Sequence, residues 1–150
     1  MSKYFQEVLE EELNLVAKAI LNQVMSSQII FFTGDPGAGK TTLINVLLKQ
    51  LRMESSASPT FSLHNRITSA NHKIDHFDLY RIDHVDELET TGIWDVVSEC
   101  QATISSDFSH LIFIEWANKF DSSIWPINLP QLTVKISNGS QNHSRMYQIF

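Results

Sequence analysis

Cysteine is almost absent from this sequence, and so are long apolar runs. Cys100 is the single cysteine, which excludes an intramolecular disulfide and a thiolate metal cluster and suits a reducing compartment. The longest apolar runs, such as residues 29–32 and 111–114, are far shorter than the roughly 20 residues of a membrane-spanning helix. No basic leader followed by an apolar core opens the sequence. We therefore expect a cytoplasmic protein with no secretory signal and no membrane contact.

Basic residues are also scarce. Eleven lysines and arginines stand against seventeen acidic residues, which gives a net charge of -6. A domain that grips nucleic acid by itself usually has a surplus of positive charge. If RNA is involved, we expect another protein to hold it. The remaining composition, with 43% hydrophobic and 19% charged residues in 150, is that of one ordinary globular domain over residues 1–150.

The hydrophobic pattern alternates between helical and extended segments. Apolar spacings of three or four predict helices, and short apolar or alternating runs predict strands. In chain order we predict a helix over 5–25, a strand over 29–33, a helix over 40–52, strands over 61–67 and 74–82, helical structure over 83–100 with a break at Gly92, a strand over 111–114, and a hairpin of 132–136 with 146–150. This alternation indicates an α/β fold.

A phosphate-binding loop follows the first buried strand. The segment Gly34-Asp35-Pro36-Gly37-Ala38-Gly39-Lys40-Thr41 matches the pattern G-x4-G-K-[ST], and Thr42 continues into the next helix. Glycines let backbone amides curl around an anion, and the helix N-terminus adds its free amides and positive dipole end. The pattern predicts that Lys40 reaches the terminal phosphates and that the Thr41 hydroxyl meets Mg²⁺.

A second group on the metal side is expected at the end of a nearby strand. The candidate is Glu115, which follows the apolar strand 111–114. The alternative is a carboxylate that simply meets solvent at a strand end. On the strand 74–82, His76, Asp78 and Tyr80 share one face because side chains alternate; His76 is there either as a site residue or as a structural histidine.

A competing pattern follows Glu115. Asn118-Lys119-Phe120-Asp121 matches N-K-x-D, which reads guanine in GTPases. The sequence contains no D-x-x-G, the pattern that senses the γ-phosphate in GTPases. The match also follows too closely behind Glu115 for separate phosphate and base sites. A small GTPase-like switch is therefore the alternative to an ATPase.

Five segments occur in one order along the chain: the phosphate loop with Thr42, then Ser58-Pro59-Thr60-Phe61, then His76-Phe77-Asp78-Leu79-Tyr80-Arg81, then Glu87-Leu88 with Gly92, then Ile114-Glu115-Trp116. In this order they resemble the TsaE (YjeE) family of small bacterial ATPases in tRNA threonylcarbamoyladenosine synthesis. The phosphate loop alone is generic, whereas the ordered combination is specific. Members commonly carry a threonine near the N-terminus that helps to hold the nucleotide; here the first threonine is Thr33, so no residue is assigned to the base.

The resemblance implies a phosphate-loop NTPase fold with a central, mostly parallel sheet flanked by helices. It implies that ATP lies over residues 37–42, with Mg²⁺ held by Thr41 and Glu115, and that Asp78 is a functional carboxylate. It also implies a switch and partner surface formed by Ser58, Pro59, Thr60, Phe61, Tyr80, Arg81 and Trp116.

The implied partners are TsaD and TsaB-like proteins, which handle the tRNA, and the implied activity is ATP hydrolysis that resets their complex. A packing role explains Trp116, Tyr80 and Arg81 as well as a role in the site does. A nucleotide-binding switch, in which binding rather than turnover matters, is the other class of function.

Overall fold

A computed structural model describes residues 4–54 and 62–150, and within them seven strands form one sheet with three α-helices. The elements are β1 (Tyr4–Leu9), α1 (Leu13–Leu21), β2 (Ser27–Thr33), α2 (Lys40–Gln50), β3 (His64–Thr68), β4 (His72–Asp78), α3 (Ile93–Ala102), β5 (Ser109–Glu115), β6 (Gln131–Asn138) and β7 (Ser144–Ile149). Short 3-10 turns cover Glu10–Glu12, Val85–Thr91, Ala117–Lys119 and Ser122–Ile124. None of the helices in these two ranges is long and apolar enough to cross a membrane.

The centre of the sheet is parallel and its edges are antiparallel. The strand order is β1-β7-β6-β2-β5-β4-β3; β2 pairs in parallel with β5 and β6, and β4 pairs in parallel with β5. The hairpins β3–β4 and β6–β7 and the pair β1–β7 are antiparallel. The predicted α/β fold with a mostly parallel central sheet is confirmed.

Each face of the sheet buries its own apolar layer. On one face, α1 and α2 cover side chains such as Ile30, Phe32 and Phe113, which are fully buried. On the other face, α3 and the segments after β4 and β5 cover Ile112 and Ile114, also fully buried. Because side chains alternate along a strand, the β4 and β5 residues that share the α2 face are also the ones that can reach the N-terminus of α2.

Three predicted elements have different bounds in the structure. The helix expected over 5–25 is confirmed only for Leu13–Leu21, because Tyr4–Leu9 is a strand paired with β7. Its apolar spacing fits a helix, but partners far along the chain decide its structure. The strand expected over 74–82 ends at Asp78, where Leu79 N instead donates to Glu115 O at 3.1 Å. The strand expected over 61–67 begins at His64 within the described residues.

The connection between β6 and β7 is fixed by a carboxylate from β1. Glu7 accepts hydrogen bonds from Ser140 N at 2.6 Å, from Gln141 N at 3.1 Å and from the Ser144 hydroxyl. These donors, with Ser144 first among them, lower the pKa of Glu7 to about 2. The ionised form of Glu7 therefore joins β1 to the β6–β7 turn.

Candidate functional site

The segment between β2 and α2 folds as a loop that leaves the start of α2 open. Gly39, which precedes the helix, has a φ of 99°, in the left-handed region that favours glycine. A Cβ on Gly34 would come within 2.7 Å of the Ile136 carbonyl oxygen, so a glycine is required there by close packing against β6. Since Gly39 has no side chain to cap α2, the first amides of the helix are available to an anion.

Lys40 lies inside this loop and is 6% exposed. Its Nζ donates to the carbonyl oxygens of Gly34 at 2.7 Å and Asp35 at 2.9 Å, and it lies 4.4 Å from the ring centroid of Trp116. Burial lowers the pKa of Lys40, while the carboxylates of Glu115 and Asp78 act in the opposite direction. The arrangement holds a cation beside the open end of α2.

Thr41 and Glu115 face each other across the loop. Thr41 Oγ1 lies 3.4 Å from both Oε1 and Oε2 of Glu115, and Glu115, at the end of β5, is 2% exposed. A hydroxyl and a carboxylate are the hard oxygen donors that Mg²⁺ prefers when phosphate supplies further oxygens. Within residues 4–54 and 62–150, no group of three or more His, Cys, Asp or Glu side chains could hold a metal ion.

Asp78 comes to the same place from β4. It is directly opposite Glu115 in the parallel pairing of β4 with β5, and it is 4% exposed. Asp78 Oδ1 accepts a hydrogen bond from Tyr80 N at 3.0 Å, which fixes the turn that ends β4. The carboxyl ends of β2, β4 and β5 thus bring the loop and two buried carboxylates to one edge of the sheet, as in other open parallel sheets.

These groups surround one cavity, and a second cavity lies on the other side of the loop. The first is about 500 Å³ and is lined by Pro36, Gly37, Gly39, Lys40, Thr41, Thr42, Asp78, Tyr80, Glu115 and Trp116. The second is about 180 Å³ and is lined by Glu10, Leu13, Gly37, Ala38, Gly39, Thr42, His143, Arg145 and Tyr147. Gly37, Gly39 and Thr42 line both, so the loop separates the larger cavity from the smaller one.

The aromatic residues singled out in the sequence lie at the rim of the larger cavity. The rings of Tyr80 and Trp116 are 5.1 Å apart, and Tyr80 is 52% exposed. Trp116 has a φ of 66°, an uncommon conformation for a large residue that turns the chain directly after Glu115. Arg81 is exposed. The predicted switch residues Ser58, Pro59, Thr60 and Phe61 lie outside the described residues.

Residues 118–121, which match N-K-x-D, line neither of these two cavities and form hydrogen bonds with nearby residues. Lys119 Nζ donates to Tyr80 O at 2.7 Å, and the Asp121 carboxylate accepts from Ser123 N at 2.8 Å. Asn118 lines a different cavity with Phe31 and Trp125. The geometry therefore favours a structural role for this segment over recognition of a guanine base.

Sequence reasoning missed the residues that line the smaller cavity from outside the phosphate loop. Glu10 follows β1, and His143, Arg145 and Tyr147 belong to the β6–β7 turn and to β7. They meet the phosphate loop because β1, β7 and β6 lie in that order beside β2. A strand order cannot be predicted from local sequence patterns. The predicted hairpin of 132–136 with 146–150 was the single indication that the end of the chain returns towards the loop.

The comparisons with known proteins concern the fold and the family. The fold matches the crystal structure of Bacillus subtilis YdiB with a TM-score of 0.65 at 20% identity, over 99% of this chain and 86% of that chain. Proteins named tRNA threonylcarbamoyladenosine biosynthesis protein TsaE match as well. The one from Rickettsia conorii is 31% identical over 72% of this chain, the one from Aquifex aeolicus 36% over 55%, and the one from Borreliella burgdorferi 28% over 85%.

The matches differ in how much of each relative they span. The chain covers 57% of the Rickettsia conorii protein, 65% of the Aquifex protein and 87% of the Borreliella protein. The model of the family described as Threonylcarbamoyl adenosine biosynthesis protein TsaE matches residues 8–147. This range includes every residue that lines the two cavities. The chain belongs to the TsaE family.

Proposed function

We propose that this protein is a Mg²⁺-dependent ATPase that supports the formation of tRNA threonylcarbamoyladenosine. The observation that carries the proposal is the convergence of Lys40, Thr41, Asp78 and Glu115 on one cavity at the open N-terminus of α2. Family membership supplies the process, since relatives are named for threonylcarbamoyladenosine biosynthesis. No helix of residues 4–54 or 62–150 is long and apolar enough to cross a membrane. We place the proposed activity in the cytoplasm.

The two cavities suggest how a nucleotide lies across the loop. The larger cavity offers a cation and a helix N-terminus, and its size of about 500 Å³ suits a triphosphate. The smaller one lies on the far side of Gly37 and Gly39, and Tyr147 and Arg145 are among its lining residues. We place the adenine base there, because a base needs an aromatic or cationic surface together with a few polar groups.

Each residue of the larger cavity then has a defined task. Lys40 and the first amides of α2 bind the phosphate oxygens, since a fixed cation and a helix N-terminus both favour negative charge. Thr41 and Glu115 are the residues that would hold Mg²⁺, which when bound supplies positive charge against the charge that develops in phosphoryl transfer. Asp78 presents a second buried carboxylate beside them, towards the rim where Tyr80 and Trp116 lie.

We further propose that hydrolysis by the isolated protein is slow and that partners make it useful. Phosphoryl transfer depends on complete positioning of charge, and within the described residues the larger cavity is lined by no arginine or glutamine. The exposed Tyr80 ring against Trp116 gives the rim a surface for a TsaD–TsaB-like pair, which would carry the tRNA. Hydrolysis would then reset that complex between rounds.

Reconstituted tRNA modification tests this proposal. TsaD and TsaB-like proteins should complete many rounds with this protein and ATP, and few rounds with a non-hydrolysable ATP analogue or without the protein. Asp78→Ala should reduce the number of rounds more than it reduces ATP affinity. Equal turnover with and without this protein would refute the proposed role, and full turnover with the analogue would leave a nucleotide-binding switch in its place.

A further inference from the structure

A buried histidine lies behind the carboxylate that we assign to the metal. His76, on β4, has its Nε2 atom 2.7 Å from Oε2 of Glu115, on β5. The His76 side chain is 0% exposed and that of Glu115 is 3% exposed. The Glu115 carboxylate therefore contacts both the His76 ring and the Thr41 hydroxyl, which lies 3.4 Å from both carboxylate oxygens.

The chemistry of the pair fixes which group donates. An ionised carboxylate has only acceptor oxygens, so a hydrogen bond of this length requires a proton on His76 Nε2. A glutamate side chain has several rotatable bonds, and a donor held rigidly in a sheet selects one of its positions. His76 lies on a fully buried strand segment, in register with Phe113, and is thus a fixed support for a side chain that is otherwise adjustable.

A second buried histidine–carboxylate pair shows what a structural pair looks like in this protein. On the opposite face of the sheet, His110 Nε2 lies 2.7 Å from Oδ2 of Asp75, and both side chains are 0% exposed. Asp75 also accepts from Arg66 at 2.7 Å and lies 2.6 Å from His64 Nε2, and these donors hold the pKa of Asp75 below its usual range against the effect of burial. None of these four residues lines either cavity beside the phosphate loop.

The two pairs have the same length and burial, but they differ in what the carboxylate faces. Asp75 faces Arg66 and two histidines of the sheet itself, whereas Glu115 lines the larger cavity. In metal sites, hydrogen bonds to a ligating carboxylate set its orientation and basicity, and their loss typically lowers metal affinity about 10- to 100-fold. We propose that His76 is a positioning residue that orients Glu115 for Mg²⁺-dependent nucleotide binding; this rests on the function proposed above.

Magnesium titrations of nucleotide binding test the inference. A fluorescent ATP analogue is bound to the wild type and to the variants His76→Leu, His76→Gln and His110→Leu, first in EDTA and then with increasing Mg²⁺. For His76→Leu we expect unchanged affinity in EDTA and a Mg²⁺ midpoint raised about 10-fold or more. His76→Gln, whose amide can still donate, should recover most of the shift. His110→Leu, the matched control, should lower the melting temperature without moving the Mg²⁺ midpoint.

Each contrary result has a separate meaning. An unchanged midpoint in His76→Leu, or an equal shift in His110→Leu, would overturn the positioning role while leaving nucleotide binding intact. A wild type that binds the analogue identically with EDTA and with Mg²⁺ would overturn the proposed metal site, and this inference with it.

A measurement on the unmodified protein keeps the inference testable if His76→Leu does not fold. Nitrogen-15 spectra of the histidine rings, assigned with His76→Gln, report which ring nitrogen carries the proton. We expect a proton on Nε2 of His76, with and without Mg²⁺ and nucleotide. A His76 ring protonated on Nδ1 alone could not donate to Glu115 and would overturn the inference.

Discussion

Replacing Lys40 with alanine removes the cation that the phosphate loop holds beside the start of α2. In the wild type, Nζ is anchored by the carbonyl oxygens of Gly34 and Asp35 at 2.7 and 2.9 Å. From that position it can add charge-assisted hydrogen bonds to phosphate oxygens. Such bonds contribute about 1.5–3 kcal/mol, which corresponds to roughly a 10- to 150-fold change in dissociation constant.

A second contribution makes the loss larger. Lys40 is the positive charge beside Glu115 and Asp78, as their shared influence on its pKa indicates. Without it, a triphosphate in the larger cavity meets two buried carboxylates with less compensation, and like charges repel in such a site. We therefore expect the affinity for ATP to fall at least about 100-fold, towards the upper end of that range.

Calorimetry on a folded variant decides the prediction. The matched control is Lys49→Ala, which removes an exposed lysine from the last turn of the same helix and should leave ATP affinity unchanged. Thermal unfolding followed by circular dichroism should show that both variants retain their helices. If Lys40→Ala binds ATP within about threefold of the wild type, or if Lys49→Ala loses as much affinity, the assignment of Lys40 to the phosphates is refuted.

Three further predictions concern the metal, the base and acid stability. Glu115→Ala should lower ATP hydrolysis more than ATP affinity, because the metal acts mainly on charge in the transition state; equal hydrolysis rates at saturating Mg²⁺ would contradict this. ATP should displace a bound fluorescent nucleotide better than GTP, and Asp121→Ala should leave that preference intact, since Asp121 accepts from Ser123 N; tighter GTP binding that is lost in the variant would favour a GTPase. The pKa of Glu7 is lowered in the fold from 4.5 to about 2, so its stabilising contribution is complete above pH 4.5 and is lost as the pH falls towards 2. Acid unfolding of Glu7→Gln should therefore show a weaker pH dependence than that of the wild type over this interval, and identical curves would contradict the role of Glu7.

What the sequence predicted well depends on short stretches of chain. The strand, loop and helix around residues 29–52 follow from apolar runs, glycines and a helix start that are adjacent in sequence. The convergence of Asp78 and Glu115 was also predictable in outline, because each ends a buried strand and parallel strands share an edge. The family was therefore accessible before any fold was known, and so was a testable hypothesis for the function of the loop.

What the sequence did not predict depends on pairing between distant segments. Tyr4–Leu9 has apolar residues at helical spacing and becomes a strand through its register with β7. The Arg145 and Tyr147 side chains reach the phosphate loop only because β7 lies between β1 and β6. The contact between His76 and Glu115 needs the register of β4 against β5, although the shared strand face of His76 and Asp78 suggested where to look.

The central position of β2 has a consequence for the order in which the molecule can be assembled. The residues of the phosphate loop are adjacent in the chain, but β2, which supports them, pairs with β5 and β6; Ile29 is opposite Ile112 on one side and Gln131 on the other. Contacts between such distant residues form slowly, since the intervening loop must close first. During synthesis from the N-terminus, the loop therefore emerges long before the strands that hold it, and it can take its folded conformation only after β6 has left the ribosome.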